Sequence, residues 1–568
     1  MKIRSSALVW LVPLAAAASI LLTYRMWASP GGRIVAGNPN DVALSCWFLK
    51  HTAWSITHLH NPLVFDTMNA PDGINAMWNT SLLTVGILMT PVTLLAGSVV
   101  SYNVLLTASF ALSTVTAFLL LKRFVTSDAA AAVGAFVYGF SPAMIASSIG
   151  HLQIVMSWLA PLLLLLVLEA VAGTRRPAVV GALLGVTAAA QLLLGEEVLF
   201  LTAFAALVAL LFAAINRPRA VSASSVRLLK VGGVAAAVFL VLCGYPLWLQ
   251  FLGPLHQHGS AFNVPFFDAD LKGFVEPSSM YWISSSSSAG FAAAYRGGAP
   301  EYMAYLGWPA VIAAITVVVW RIRDARVRVT LLTAAVLALA SLGGMLLFGG
   351  SERGLHLPWG LLWHLPVFES ALPDRFALMI DLAVGILLAL GLDAALRRAD
   401  PWIRVPAAIG AAAVLVSLAP KPFASEPTPA VPDFFTDAGA SIAAGSTIVV
   451  LPFPSPTETR PLYWQAASDM RFKMPGGIFI GPAPGGQAFV SGPGPRGIAR
   501  ILMDIEQTGA VPAITDEVRT QMRTDLDYWR ADAIVLGPGP NRTALREFLR
   551  GVLGADPVRR DGVLLWRL

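Results

Sequence analysis

The sequence predicts a polytopic α-helical membrane protein with 11 or 13 spans and a small extracytoplasmic α/β domain at its C-terminal end. Of its 568 residues, 56% are hydrophobic and 13% are charged, which is about half the charged share of a soluble domain. Apolar runs of about 20 residues, the length needed to cross the hydrocarbon of a bilayer, recur along the chain. This composition excludes a soluble enzyme for most of the length.

The net charge of +6 comes from basic residues in short clusters between the apolar runs. Such clusters indicate membrane orientation, so membrane lipids and not a nucleic acid are the expected partner. The two cysteines, Cys46 and Cys243, are far apart and predict neither a disulfide framework nor a metal site. Arg far outnumbers Lys, which is associated with GC-rich bacterial genomes, and a bacterial plasma membrane is the expected location.

The first apolar run follows Lys2 and Arg4, and we interpret it as an uncleaved helix whose N-terminus is cytoplasmic. Eleven more runs follow it, each close to the length of a span. The runs lie at 7–24, 81–97, 102–121, 129–148, 152–172, 178–194, 198–215, 231–252, 303–320, 329–349, 375–396 and 403–419.

Basic clusters follow every second run from Lys122 onward, so the positive-inside tendency places those connections in the cytoplasm and the alternate ones outside. One parity conflict remains, because two runs separate Lys122 from the first outer loop, where an odd number of crossings is needed. Pro91 breaks the first of these runs, which either enters without crossing or is joined by a hidden span. The clusters lie at 122–123, 175–176, 217–230, 321–328 and 397–404.

Three parts of the chain follow from this pattern. Residues 1–420 form the transmembrane domain, with 29–80 as its first extracytoplasmic loop, and 421–434 are a linker rich in Pro and Ala. Residues 435–568 form the extracytoplasmic α/β domain. Its predicted strands are 447–452, 531–536 and 562–568, and its predicted helices are 498–508 and 541–553.

The first outer loop contains a polar helix that begins at Asp41. Helical spacing places Trp47, His51, Trp54 and His58 on one face. Aromatic rings with polar edges on one face are typical of a helix that lies in the membrane interface. A carboxylate at the first turn is stabilised by the exposed amide groups there.

Ionisable residues at membrane depth are costly, so those at the outer rim are functional candidates. Each could instead be an exposed charge or half of a fixed ion pair, such as Glu197 with Arg375. A site at this level suits a sugar donor on a polyprenyl phosphate, with the phosphate bound by Arg375 or Arg296. Asp41 is then the general base that takes the proton of the acceptor hydroxyl. The candidate substrate-binding residues are His58, His151, Gln153, Glu196, Glu197, Arg296, Asp374 and Arg375.

The segments HNPLVFDTMNAPDG, AFVYGFSPAMIASSIGHLQ, ESALPDRFA and LYWQAASDMRFKMPGG carry a resemblance. With the layout of residues 1–480, they resemble a bacterial, actinobacterial branch of the GT-C superfamily of polyprenyl-phosphate-sugar-dependent membrane glycosyltransferases. The resemblance implies an inverting hexosyl- or pentosyltransferase that acts on a lipid or glycan acceptor of the cell envelope, with Asp41 as base. Many of these families have two adjacent acidic residues there, whereas this chain has Asn40-Asp41, so a divalent metal is not supported.

Two other classes of function stay open. A transporter or flippase of a lipid-linked substrate would place ionisable residues near the midplane and often shows repeated halves. In this chain the charges gather at the outer end and no repeat is visible. A non-catalytic scaffold would use the C-terminal domain to bind partners in the cell envelope.

Overall fold

The computed structural model describes residues 5–436 and 442–568, and most of this chain is helical. Six helices among the described residues are long and apolar enough to cross a membrane, and five more apolar helices are shorter. The helices of the first part are α1 (Ser5–Thr23), α2 (Pro39–Thr57), α3 (Leu83–Ala96), α4 (Ser98–Leu121), α5 (Asp128–Gly139), α6 (Pro142–Ser147), α7 (Leu152–Val155), α8 (Leu159–Ala172), α9 (Pro177–Leu192), α10 (Glu196–Asn216), α11 (Pro218–Phe251), α12 (Ser286–Ala293), α13 (Gly307–Arg321), α14 (Ala325–Ser341), α15 (Trp359–Leu362), α16 (Ala377–Leu396) and α17 (Pro401–Ser417). Short strands between them are β1 (Arg33–Val35), β2 (Val64–Phe65), β3 (Ile74–Asn75), β4 (Met345–Phe348), β5 (Ser351–His356) and β6 (Ser425–Pro427).

Helix α16 is the centre of the bundle and, apart from the buried Asp381 and Asp393, is apolar on all sides, as expected of a helix surrounded by others. It packs against α5, α13, α14 and α17. The backbones of α5 and α16 touch at two glycines. A Cβ atom on Gly134 would lie 2.4 Å from the carbonyl oxygen of Gly385, so no larger residue fits there.

We expect Gly134→Ala to lower the melting temperature of the detergent-solubilised protein, because the two central helices must move apart. Gly244→Ala in α11 is the matched control, since a Cβ atom there meets nothing within 4 Å. Both changes raise helix propensity equally, so packing alone separates them. Equal melting temperatures for the two variants would show that this contact is not a tight one.

The basic connections that were predicted to share one side of the membrane meet at one end of the bundle. Hydrogen bonds and ion pairs run between them and hold the helix ends together. These contacts join Arg123 to Glu169, Arg326 Nη1 to the Phe124 carbonyl (2.7 Å), Arg328 Nε to Asn216 Oδ1 (2.7 Å), Arg227 Nε to the Ala170 carbonyl (2.9 Å) and Thr126 Oγ1 to Asp393 Oδ1 (3.0 Å). The alternate connections enclose a cavity at the other end.

Helix α3 begins and ends at the cavity end of the bundle. Ser81, just before α3, lines the cavity. Asn103, in the first turns of α4 after α3, donates to the carbonyl of Pro30 at 2.9 Å, and Thr107 lies 3.0 Å from Thr23, the last residue of α1. This geometry agrees with the alternative in which the run broken by Pro91 enters without crossing.

The C-terminal segment contains a four-stranded sheet with helices around it. Each of the five predicted elements begins and ends within one residue of its predicted position, while three further helices and three further strands among the described residues were not predicted. Its elements are α18 (Asp433–Thr436), β7 (Thr447–Leu451), α19 (Arg460–Ala467), β8 (Ile480–Pro482), β9 (Ala488–Val490), α20 (Gly497–Thr508), α21 (Asp516–Trp529), β10 (Ala531–Leu536), α22 (Arg542–Leu553), β11 (Val558–Arg560) and β12 (Val563–Arg567).

The sheet has the strand order β11-β12-β10-β7, in which β7 and β10 are parallel and the other pairs antiparallel. Successive side chains of a strand point to opposite faces. Val449 and Ile534 pack with α20, α21 and α22 on one face. Val450 and Val535 pack on the other face, in the same cluster as Trp47 of α2. The sheet is therefore buried on both sides, and one side is covered by the first loop.

The segment 421–434, predicted as a linker, is not a free connection. Strand β6 pairs antiparallel with β1, and Arg33 donates to the Ser425 carbonyl at 2.7 Å. Phe434 and Phe435 are fully buried. A composition rich in Pro suits an edge strand as well as a linker, because an edge strand pairs on one side only. Composition alone therefore does not distinguish a linker that pairs with another strand from one that makes no contacts.

Helix α2 lies where it was predicted. The first part of its aromatic face, at Trp47 and His51, is buried against protein, while His58 at its end is exposed. Trp47 Nε1 donates to Gln465 Oε1 at 2.6 Å, and the His51 ring stacks on Trp47 with centroids 4.9 Å apart. Burial lowers the pKa of His51 to about 3, with the charge of His60 adding to the shift. Periodicity shows that a helix has an apolar face, and it does not show whether lipid or protein covers that face.

Candidate active site

A cavity of about 580 Å³ lies between the helical bundle and the C-terminal segment. Its volume is in the range of pockets that hold small ligands. Segments far apart in sequence form its wall. They include the first residues of α2, α7 and α10. The wall comprises residues 38–45, 76–81, 150–154, 192–198, 250, 259–262, 370–375, 456, 478–480 and 488–490, with some positions within these ranges not exposed to the cavity.

Asp41 is held at the start of α2 by two neighbours. Asn38 caps the helix, and its Nδ2 donates to Asp41 Oδ2 at 2.6 Å. His151 Nε2 lies 3.3 Å from the same oxygen. Burial raises the pKa of Asp41, but the hydrogen bonds of His151 and Asn38 and the charges of His151 and Arg375 outweigh burial, so the pKa lies below its ordinary value of 3.8. With 34% of its side chain exposed, Asp41 presents an ionised carboxylate to the cavity.

A row of alternating charges extends inward from Asp41. His151 Nδ1 is 3.3 Å from Glu301 Oε1, close enough for an ion pair although the angle is not that of a hydrogen bond. Arg375 binds Glu301 through two nitrogens, with its Nε at 3.0 Å, and binds Glu197 through a third. We call these five residues, Asp41, His151, Glu301, Arg375 and Glu197, the charge ladder.

Glu301 is the most buried member of the charge ladder, with 4% of its side chain exposed. Burial raises the pKa of Glu301, but the charges of Arg375 and His151 lower it by more, so the pKa lies below its ordinary value. The carboxylate is therefore ionised at neutral pH and depends on its neighbours Arg375 and His151.

Arg375 forms the ion pair with Glu197 that the sequence offered as an alternative to a binding role. A guanidinium has five N–H donors, and three of those of Arg375 are directed at carboxylates. Two N–H groups remain, and the side chain reaches the cavity wall. Arg375 thus has a structural partner on each side and a limited capacity for a ligand.

Six of the nine predicted site residues line the cavity, and three do not. The six were chosen because they are ionisable or polar groups at the outer ends of apolar runs, and the cavity is where these ends meet. The six are Asp41, His151, Gln153, Glu196, Glu197 and Arg375.

His58 is not at the cavity. It stands 17 residues after Asp41 on α2, which is about 25 Å along a helix that rises about 1.5 Å per residue. Its Nδ1 lies 2.9 Å from the Trp54 carbonyl, in the exposed last turn. Helical spacing predicts which residues share a face of α2. It does not predict how far along the helix a residue of that face lies from the cavity.

Arg296 and Asp374 are also outside the cavity wall. Arg296 donates to the Pro265 carbonyl at 2.7 Å and lies 3.6 Å from Glu352, so its own loop holds it. Asp374 is 1% exposed and accepts a hydrogen bond from the Tyr295 hydroxyl at 3.1 Å. Adjacent residues on a turn point in different directions, and here Arg375 takes the cavity side.

Glu301 was missed, although a signal for it exists. It is an acidic residue shortly before an apolar run, six residues before α13, much as Asp374 stands three residues before α16. Gln250 was also missed, and its Nε2 donates to Glu196 Oε2 at 2.7 Å. The glycine-rich residues 476–494 contain the hairpin β8–β9, and Ile480 and Ala488 from it line the cavity.

The donors around Asp41 do not fit a metal ion. Its Oδ2 is contacted by Nδ2 of Asn38 and Nε2 of His151. The neighbouring Asn40 accepts a hydrogen bond from Thr459 at 3.1 Å. Within 5–436 and 442–568, no three His, Cys, Asp or Glu side chains are grouped to hold a metal. We therefore derive no step through a metal at this position.

Solved structures similar to this chain define the class of fold. The oligosaccharyltransferase of Archaeoglobus fulgidus has a TM-score of 0.52 and 14% identity, over 93% of this chain and 68% of that one. The arabinofuranosyltransferase AftD from mycobacteria has a TM-score of 0.54 and 15% identity, over 99% of this chain. This chain spans 41% of the length of AftD. The resemblance to the GT-C superfamily is thereby confirmed as a likeness of fold.

The family of the chain is also established. The family model described as "Domain of unknown function (DUF6311)" matches residues 7–419, and the chain belongs to this family. No curated protein matches the chain significantly in sequence. The matched residues contain α2, all of the charge ladder and the spans, and they end shortly before the C-terminal segment begins.

Proposed function

We propose that this protein is a membrane glycosyltransferase that moves a hexosyl or pentosyl group from a polyprenyl-phosphate donor to a lipid or glycan acceptor of the bacterial cell envelope. One observation carries the proposal. The ionised carboxylate of Asp41 faces a ligand-sized cavity in a membrane protein with a GT-C-like fold. The charge of Asp41 suits a general base, which must accept a proton as the new bond forms.

In the proposed reaction, the oxygen of the acceptor hydroxyl attacks the anomeric carbon of the donor sugar. The bond between that carbon and the phosphate oxygen breaks, and its electron pair leaves with the polyprenyl phosphate. The hydroxyl proton passes to the carboxylate of Asp41. A single displacement of this kind inverts the anomeric carbon, and a phosphate leaving group needs no strong acid to assist it.

The wall of the cavity supports a donor that is part lipid and part sugar. Leu44, Leu193 and Phe479 offer apolar contacts, while Gln153 and Glu196 offer a donor and acceptors to sugar hydroxyl groups. We assign the phosphate to the two N–H groups of Arg375 that have no carboxylate partner. The polyprenyl chain would lie among the helices next to the cavity.

We also propose that the chain crosses the membrane eleven times. The sequence has twelve apolar runs, and the run that forms α3 enters the membrane without crossing it, which leaves eleven. The N-terminus is then cytoplasmic and the C-terminal segment extracytoplasmic. The collection of basic connections at the end of the bundle opposite the cavity supports this orientation.

The test uses the purified full chain in liposomes of bacterial lipid with a radiolabelled polyprenyl-phosphate hexose or pentose. We expect label to pass to an acceptor fraction as free polyprenyl phosphate is released. The same sugar supplied as a nucleotide sugar should give no transfer. Movement of intact donor across the bilayer would instead indicate a flippase, and inertness toward every donor would indicate a scaffold.

A further inference from the structure

His151 occupies an unusual position between two acidic side chains. Its Nε2 faces Asp41 and its Nδ1 faces Glu301, each at 3.3 Å. A neutral imidazole has one N–H and one lone pair, so it would turn a lone pair toward one of these two carboxylates. In either form, the ring stands between the two carboxylates and separates two like charges.

We propose that His151 is a positioning residue that keeps Asp41 ionised and directed into the cavity by standing between Asp41 and Glu301. The proposal rests on the function proposed for Asp41. The proposal also explains the role of Arg375 and Glu301. Arg375 holds Glu301 in place, and Glu301 lies beside Nδ1 of His151, on the ring edge that faces away from Asp41. His151 would then act through Asp41 and not on the substrate.

Several charged or titratable groups face Asp41 from the elements packed around it, and all of them act on its ionisation. His151 precedes α7, Arg375 precedes α16, and Glu301 precedes α13. Tyr102 on α4 is buried and interacts electrostatically with Asp41. The groups that interact electrostatically with Asp41 are therefore His151, Arg375, Glu301 and Tyr102, while Glu196 and Glu197 line the same cavity.

Removal of His151 should change the balance between the influences that raise and those that lower the pKa of Asp41. The carboxylate would lose a hydrogen-bond donor and a positive charge, while burial and the negative charge of Glu301 would remain. The hydrogen bond from Asn38 and the charge of Arg375 would also remain, but without the contributions of His151 the balance shifts toward the protonated acid, so the pKa of Asp41 should rise. A base is active above its pKa, and the acidic limit of activity should move to higher pH.

The experiment measures protonation of Asp41 without any donor. Purified full-length protein is treated with a water-soluble carbodiimide and glycine ethyl ester, which modify protonated carboxyl groups, and the peptide that contains Asp41 is quantified by mass spectrometry between about pH 4 and 7. Wild type should show little modification. In His151→Ala, modification should persist to a pH at least about one unit higher, a tenfold rise in the protonated fraction at a fixed pH.

Two further variants separate this effect from general damage. His58→Ala removes a histidine from the far end of the same helix and should leave the profile of Asp41 unchanged. Glu301→Gln added to His151→Ala removes the like charge and should move the profile back toward wild type, which a structural collapse would not do.

A profile for His151→Ala that coincides with that of wild type would overturn the proposal, and so would the lack of any recovery in the double variant. His151→Gln, which keeps most of the volume and loses the charge, provides the same comparison if the alanine variant does not fold. Since no donor is used, failure here is distinct from failure of the transferase proposal, which the liposome assay tests.

Discussion

Asp41→Asn should reduce the rate of sugar transfer by about 10²- to 10⁴-fold, the range that a general base contributes. Asparagine has nearly the shape of aspartate and keeps an oxygen for the hydrogen bond from Asn38. It cannot accept the proton of the acceptor hydroxyl. The loss should therefore appear in the catalytic rate more than in donor binding, measured as the initial release of polyprenyl phosphate in proteoliposomes.

Asp66→Asn is the matched control for this prediction. Asp66 belongs to the same first loop and pairs with Lys473, and it does not line the cavity. A half-exposed ion pair of this kind contributes at most about 1 kcal/mol to stability. Asp66→Asn should transfer at the wild-type rate, and full retention of transfer by Asp41→Asn would remove Asp41 as the base.

Arg375→Leu should destabilise the protein by about 3–5 kcal/mol, the cost of removing one partner from a buried ion pair. Arg375 is 12% exposed, and its loss leaves Glu197 and Glu301 without their cation. Thermal denaturation in detergent is the measurement. Arg550→Leu is the control, because Arg550 and its partner Asp556 are both exposed, at 48% and 71%. Equal melting temperatures for the two variants would contradict the prediction.

The pH dependence of this effect has a definite sign. The pKa of Glu301 in the folded protein lies below its ordinary value of 4.5. Its pairing therefore stabilises wild type above that ordinary value, and the contribution is lost as pH falls through the lower folded-state pKa. The stability difference between wild type and Arg375→Leu should be largest at neutral pH and should shrink on acidification.

Much of the candidate site could be predicted because its members obey one physical rule. An ionisable group at the end of an apolar run must find a partner or a cavity. Asp41, Glu197 and Arg375 all follow this rule, and the structure brings them together. Glu301 follows it too, and was missed because its loop is long and irregular. The rule does not tell which of two adjacent residues points inward, and here Arg375 lines the cavity while Asp374 does not.

The remaining differences come from contacts between distant parts of the chain. The pairing of β1 with β6 and the hydrogen bond from Trp47 to Gln465 join residues that are nearly 400 or more positions apart. A sequence pattern reports local periodicity and the polarity of a face. It does not report which distant segment covers that face, so these contacts of the predicted linker and of α2 could not be predicted from composition.

The position of the hairpin β8–β9 late in the chain determines when the cavity can be completed during synthesis. Asp41 leaves the ribosome more than 400 residues before Ile480, an interval of about 20 to 90 seconds at synthesis rates of about 5–20 residues per second. During that interval the wall around Asp41 has no cover, and Trp47 has no Gln465 to receive its N–H. Asp41, which we propose for catalysis, is synthesised early, whereas the hairpin that covers its cavity is synthesised late. A nascent chain released before the hairpin would carry Asp41 without a completed site.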